Sequence, residues 1–318
     1  MKRILVVGAA GQIGSELTVK LRKIYGNSNV VASDIKAQVP YDLKHGGPFE
    51  VVDCLNKQKI SDIIVKYNID TVYNLVAILS AVGEAKPDMA WKVNLGSLLN
   101  LLDLSKELQF AIMTPSSIGA FGDSTPKDKT PQETIMRPDT IYGVSKVSGE
   151  LLCDYYHKKY GIDTRGVRYP GIISNVTMPG GGTTDYAVEI FYKAIQERKF
   201  TCNLKPGTFL DMMYMPDAVD AAIELMEADP NKLRHRNAYN VSAMSFDPEM
   251  LANEIKKHIP DFKMKYKINN DLQKIADSWP NSMDDSFARE DWDWQHKFDI
   301  STMTEDMIKT LKKRLNEK

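Results

Sequence analysis

Apolar residues come in short runs at the start of the chain: ILVV at 4–7, a helix-period pattern over 12–24, then NVVAS at 29–33. A buried strand, a helix and a second buried strand in that order predict a βαβ unit. The same rhythm continues further on. SDIIVKY (61–67), PDMAWKVNLGSLLNLLDLSKEL (87–108) and IYGVSKVSGELLCDYYHKKY (141–160) read as helices, with TVYNLV (71–76) and FAIMTPSS (110–117) as strands between them. Strands with no polar face, alternating with helices, predict a parallel sheet covered on both sides.

Beyond about residue 171 the regularity breaks into loops containing Gly and Pro. PDAVDAAIELME (216–227) still reads as a helix and AYNVS (238–242) as a strand, so the chain is expected to return to the first layers. Just past GGGTTD (180–185), the residues Ala187, Val188, Phe191, Ala194 and Ile195 share one helical face. The expected architecture is α/β: a doubly wound parallel sheet built from 1–170 with returning segments near 211–242. A smaller, interleaved C-terminal lobe from 171–210 and 243–318 would hold the substrate.

Composition narrows the partners. The chain has 318 residues, 43% of them hydrophobic, with 41 basic against 42 acidic residues and a net charge of -1. Neither nucleic acid nor an acidic membrane surface is expected to bind without a basic excess. Cys54, Cys153 and Cys202 lie far apart, and His45, His157, His235, His258 and His296 are scattered. No metal site or disulfide framework is expected from such spacing, and a reducing compartment fits. No stretch approaches the ~18 apolar residues of a membrane span, so the expectation is a cytoplasmic protein.

Three motifs carry chemistry. Gly8, Gly11, Gln12, Ile13 and Gly14 fall between the first strand and the first helix, where glycine lets backbone approach a pyrophosphate at a helix N-terminus. Asp34 ends the second strand, placed to accept both ribose hydroxyls and to repel a 2′-phosphate; this is the Rossmann arrangement, and it favours NAD over NADP. Asp53 is a further candidate at the adenine end, or equally a solvated loop residue. The backbone of NLVAILS (74–80), with Leu75 and Ala77, is expected to line the cofactor at the carboxyl edge of the sheet.

Tyr142 and Lys146 form the second motif, with Tyr142 in the first turn of its helix. Tyr155 and Lys159 repeat the spacing, but near the far end and on a different side. A tyrosine with an ordinary pKa of ~10 becomes a useful base only if a cation such as Lys146 favours its phenolate. The third motif, TPSSIGAFG (114–122), supplies Ser116 or Ser117 at a strand tip to hydrogen-bond a substrate oxygen. In the glycine-rich loop at 180–185, Thr183 and Thr184 are candidate ligands for a substrate anion, one of them alternatively a helix cap. Ser80 and Trp279 are candidates to complete that pocket.

In that order, the motifs resemble the extended short-chain dehydrogenase/reductase family over essentially the whole chain. The resemblance implies a Ser/Tyr/Lys catalytic set at Ser117 (or Ser116), Tyr142 and Lys146, a supporting asparagine at Asn94, and a segment beside the nicotinamide at Tyr169 and Ile172. Within the family, AILSAVGE, TPSSIGAFG, PGGGTTDYAVEIF and ADSWPNSMDDSFAREDWDWQHKFDI are similar to the L-threonine 3-dehydrogenase branch. That likeness implies NAD, L-threonine as the small-molecule substrate, oxidation of its 3-hydroxyl to 2-amino-3-ketobutyrate, and a homodimer through the long helices at 87–107 and 141–160. Ile141 departs from the wider family, where proline is common. Sugar-nucleotide epimerases and dehydratases share the core and form the alternative reading, yet residues 171–190 contain no Lys or Arg to hold a diphosphate. A non-catalytic NAD sensor would have no use for Tyr142.

Overall fold

The structure is a computed structural model that describes residues 1–178 and 180–316. Its central sheet uses Ile4–Val7 (β1), Val30–Asp34 (β2), Phe49–Val51 (β3), Thr71–Asn74 (β4) and Ala111–Met113 (β5). After Ser116–Ser117 (β6) comes Thr164–Arg165 (β7), which closes the six-stranded order β3-β2-β1-β4-β5-β7. All of these pairings are parallel. Strand order reverses at β1, leaving a crevice between the carboxyl ends of β1 and β4, where ligands of such sheets bind.

The pleat divides the apolar strand residues between two faces. Ile4, Val6, Val30, Ala32, Tyr73 and Met113 pack with helices Gln12–Tyr25 (α1) and, later in the chain, Met215–Glu227. Leu5, Val7, Val31, Val72 and Ile112 face the opposite layer. Following the short Tyr41–His45 (α2), that layer holds Lys57–Tyr67 (α3) and, past Ser80–Ala85 (α4), Pro87–Leu108 (α5) and Ile141–Tyr160 (α6). Local chemistry fixes the helix ends. Asn56 Oδ1 accepts the Lys59 amide at 3.0 Å to start α3, and Thr140 Oγ1 accepts the Gly143 amide at 3.1 Å to start α6. Gly161, at φ 69°, ends α6 in the left-handed region.

The segment read from sequence as one strand, 110–117, is two. β5 stops at Met113, and β6 pairs instead with Val167–Tyr169 (β8), which also carries the later strand Tyr239–Asn240. Pro115 lies in the gap and has no N–H to continue a ladder. Gly171–Ile173 (β9) runs parallel to Leu210–Tyr214, which pairs antiparallel with Met244–Phe246.

The region after 171 is more regular than the sequence suggested. Tyr186–Glu197 (α7), Lys199–Cys202 (β10), Leu210–Tyr214 (β11) and Met215–Glu227 (α8) precede Tyr239–Asn240 (β12), Met244–Phe246 (β13) and Pro248–His258 (α9). Lys263–Tyr266 (β14) pairs with β10, and Asn270–Ser278 (α10), Ser286–Trp292 (α11) and Ile300–Asn316 (α12) follow. Phe191, Leu251, Ile255, Met303 and Met307 of α7, α9 and α12 form a separate buried cluster. α12 also fastens the loop before α7: Arg314 donates to the Val176 carbonyl at 3.1 Å, and Asn175 Nδ2 donates to Asp306 at 3.3 Å. No helix among the described residues is long and apolar enough to cross a membrane.

Candidate active site

One cleft of about 490 Å³ opens at the carboxyl ends of β1 and β4, bounded by the glycine turn, α4, β6, the start of α6 and the loop before α7. Gly8, at φ 85°, would place a Cβ 3.1 Å from the Leu75 carbonyl carbon, so only glycine lets the turn lie against the 75–76 backbone. A Cβ on Gly14 would stand 2.3 Å from the Gly8 carbonyl oxygen, and α1 could not then start so close to β1. No side chain caps α1, and its first turn carries no acid. The Gln12 Nε2 is buried without a partner. Asp34 is buried at the tip of β2, its carboxylate accepting the Ala10 amide at 2.9 Å and the Lys36 amide at 3.0 Å. An uncapped helix end, an unpartnered amide donor and a carboxylate beside the turn fit the pyrophosphate and ribose of a dinucleotide.

Across the cleft, Tyr142 is buried in the first turn of α6, beside the Ser117 side chain, whose Oγ accepts the Gly119 amide at 3.1 Å. Burial pushes its phenol up, and the Ser117 hydroxyl pulls it back down. Lys146 follows one turn later, its Nζ 5.4 Å from the centre of the Tyr142 ring and donating to the Pro115 carbonyl at 2.8 Å. Desolvation lowers the Lys146 pKa to about 8, against the pull of the Glu150 carboxylate. The strand pleat separates the two serines: Ser117 faces Tyr142, whereas Ser116 is buried and donates to Glu150 at 2.5 Å. The second Tyr/Lys pair is exposed on the far end of α6, with Lys159 donating to Tyr155 at 2.7 Å.

Leu75, Ala77, Tyr169 and Ile172 line the cleft with Gly11, Ile13 and Gly14. Tyr169 does so without offering its hydroxyl, which donates to the Ala218 carbonyl at 2.6 Å. Four expected cofactor residues lie outside the lining: Gly8 and Asp34 stand just behind it at the turn and the tip of β2, and Asp53 and Asn94 are turned elsewhere. Asp53 is exposed and turns its carboxylate back to the Leu55 amide at 2.9 Å. Asn94 sits behind the wall, accepting the Ile78 amide at 2.7 Å and donating to Ser145 at 3.1 Å, so it pins the 77–79 backbone to α6. Ile141 earns its place through an amide that proline would lack, donating to Glu84 of α4 at 2.8 Å.

Ser80, Thr183, Thr184 and Trp279 form the remaining end of the cleft. Ser80 and Thr183 are both buried, their hydroxyl oxygens 3.4 Å apart. No side chain caps α7, so neither threonine serves that purpose. The Gly181 and Gly182 amides of this loop donate to Asp185 at 2.9 and 3.0 Å. Burial raises the Asp185 pKa, and those two amides oppose the rise. Val82 and Lys36 line the cleft as well and were not singled out in the sequence, although Lys36 stands two residues after Asp34.

Residues 4–242 match the sequence profile of the NAD dependent epimerase/dehydratase family. The chain belongs to that family. It is an NAD-dependent oxidoreductase, and its curated relatives include an uncharacterized epimerase/dehydratase of Staphylococcus haemolyticus, 50% identical over the full length of both chains. Among solved structures it is similar to L-threonine dehydrogenase of Clostridium difficile, at 52% identity, TM-score 0.97 and coverage of 99% of this chain and 98% of that one. It is also similar to the holo form of a GalE-like L-threonine dehydrogenase of Cupriavidus necator, at 45% identity, TM-score 0.94 and coverage of 97% and 99%. In this family member, the glycine turn and the start of α1 would receive the pyrophosphate, and Asp34 the adenosine ribose. Tyr142 and Lys146 would flank the nicotinamide ribose.

Proposed function

We propose that the protein oxidises the 3-hydroxyl of L-threonine to give 2-amino-3-ketobutyrate. The buried Ser80–Thr183 hydroxyl pair carries the reading, because it shares the cleft with Tyr142 and Ser117 and sits where a small polar substrate must end. The whole-length likeness to the dehydrogenases of Clostridium difficile and Cupriavidus necator supports it. So does the lack of any Lys or Arg in 171–190, which disfavours the sugar-nucleotide alternative.

NAD, when bound, supplies the hydride acceptor. The phenolate of Tyr142 takes the proton from the substrate 3-hydroxyl, and Ser117 donates to that oxygen and holds it against the tyrosine. Lys146, held by the Pro115 carbonyl, favours the phenolate by its charge. Ser80, Thr183 and Thr184 hold the substrate carboxylate through their hydroxyls, and Trp279 shields that end from water. The protein acts as a homodimer through the outer face of α5 and α6, where Trp91, Leu99, Leu151 and Tyr155 are exposed. The experiment is NAD reduction with L-threonine, L-serine, 3-hydroxybutyrate and UDP-glucose compared at equal concentration. L-threonine is expected to give the highest kcat/KM, and preference for the sugar nucleotide would overturn the assignment.

A further inference from the structure

Glu150 stands one turn beyond Lys146 on α6, and its carboxylate is surrounded by donors. Arg168 gives Nη2 to Oε2 at 2.7 Å and Nε to Oε1 at 3.0 Å, Ser116 donates at 2.5 Å, and Asn237 Nδ2 reaches it at 3.3 Å. Arg168 is itself held by the Gln132 carbonyl at 2.7 Å and Asn240 Oδ1 at 3.0 Å. The two charged side chains are 2% and 3% exposed. Desolvating such a pair costs about as much as the attraction returns, so stability alone is a weak reason for it.

Its surroundings suggest a use. A chamber of about 20 Å³ is lined by Lys146, Glu150, Ser116 and Ser145, and is bordered by the unpartnered carboxamide oxygens of Asn74 and Asn237. In so buried a setting, charge acts over longer distances than in water. Of the charges nearby, that of Glu150 is the one that acts on Lys146. Burial pushes the Cys153 thiol up, so it stays neutral; it lowers the His235 pKa, and it raises that of the half-buried Asp154. Tyr142, on the cleft side, is also neutral until it acts.

We propose that Glu150, clamped by Arg168, is a positioning residue that keeps Lys146 charged and, through Ser116, fixes the strand carrying Pro115 and Ser117. This rests on the roles given above to Tyr142 and Lys146. It treats Ser116 as the link between the ion pair and the catalytic strand, with no contact to substrate. The pull of Glu150 on Lys146 opposes the desolvation that brings the amine down to about 8.

Replacing Glu150 alone strands Arg168, so the test uses the double variant Glu150→Gln/Arg168→Gln, which keeps net charge and hydrogen-bonding shape. Ionisation of the Lys146 amine is followed by NMR of ¹³Cε-lysine-labelled protein, with the resonance assigned by its loss in Lys146→Met. The amine is expected to titrate on the order of one pH unit lower than in the parent. Glu150→Asp keeps the charge while shortening its reach, so its amine should titrate within a few tenths of the parental value even where kcat drops. An unmoved amine in the folded double variant overturns the proposal, as does a downward shift in Glu150→Asp equal to that of the double. Tyr142→Phe separates the two readings. Full turnover there would end the base assignment without touching the amine titration, whereas an inactive Tyr142→Phe beside an unmoved amine defeats only the role of Glu150.

Discussion

Asp211 of β11 has no exposed surface, and the consequence can be measured. Its Oδ2 accepts the Ser242 hydroxyl and the Met283 amide, each at 2.7 Å, while Oδ1 is buried without a partner. Burial dominates and raises its pKa from 3.8 to about 7, with Ser242 and the Met283 and Ala243 amides opposing and the Asp285 charge adding. A carboxyl raised in this way contributes stability that is complete below its unfolded pKa and is lost as pH rises through the folded one. A rise of about three units corresponds to roughly 4 kcal/mol lost between about pH 4 and pH 7. Asp211→Asn cannot titrate. It places an amide N–H₂ where Oδ1 had no partner, a pH-independent cost of about 1–3 kcal/mol. The variant should therefore be ~1–3 kcal/mol less stable than the parent near pH 4 and ~1–3 kcal/mol more stable near pH 8. Urea unfolding of both proteins across that range, compared as a difference at each pH, cancels the other carboxylates. A difference that stays flat, or that favours the parent more as pH rises, refutes the reasoning.

Tyr142→Phe should bind NAD as the parent does and lose a factor of roughly 10² to 10⁴ in kcat, read from steady-state assays beside cofactor titration. Because the phenol must lose its proton before it can act, and burial raises its pKa, parental activity should climb with pH on the acid side of its profile; a flat kcat/KM with chemistry limiting would contradict this. Asp34→Ala should narrow the preference for NAD over NADP, since the carboxylate that would repel a 2′-phosphate is gone and Lys36 remains; an unchanged ratio of kcat/KM values removes Asp34 from that role. Thr183→Val and Thr184→Val should raise KM for threonine at saturating NAD with little change in Tm, because neither hydroxyl caps α7. Leu151→Lys, on the exposed face of α6, should turn a dimer into monomers in sedimentation; a parental sedimentation coefficient would move the interface elsewhere.

The parallel sheet was legible because strands buried on both faces leave unbroken apolar runs, and the helices between them keep their period over three turns or more. The break at Pro115 was not, because Thr114 to Ser117 look as strand-like as what precedes them; only the change of partner from β4 to β8 divides the two strands. Of the later helices, α9 and α10 carried readable start signals, with Asp247 accepting the Met250 amide at 2.8 Å and Asn269 the Leu272 amide at 3.2 Å. The charged face of α9 hid an apolar stripe that becomes clear only against α7 and α12. In the site, short spacings were informative: Tyr142 with Lys146, and the glycine turn with Asp34. Which of Ser116 and Ser117 looks into the cleft depends on strand register, and register needs a partner strand. Asn94 was readable as important, but its aim at Ile78 rather than the cleft follows from how α5 lies on the sheet.

The fastening of the Ser174–Thr177 loop by α12 has a consequence for the order in which a newly made chain matures. Glu16 and Ser15 of the first helix meet Ser174 and Thr177, so one end of the cleft joins segments made early and midway. Arg314 then grips that same loop from the last helix, and the Met283 amide grips β11. A ribosome-bound chain can assemble the sheet through β7 as its strands emerge, each beside one already in place or soon to follow. The substrate end must wait for Met283 and Arg314, which follow every strand of the sheet in the sequence. Cofactor capture can therefore precede substrate competence during biosynthesis, and an early-bound dinucleotide would stabilise the sheet while the remainder of the chain is still being added.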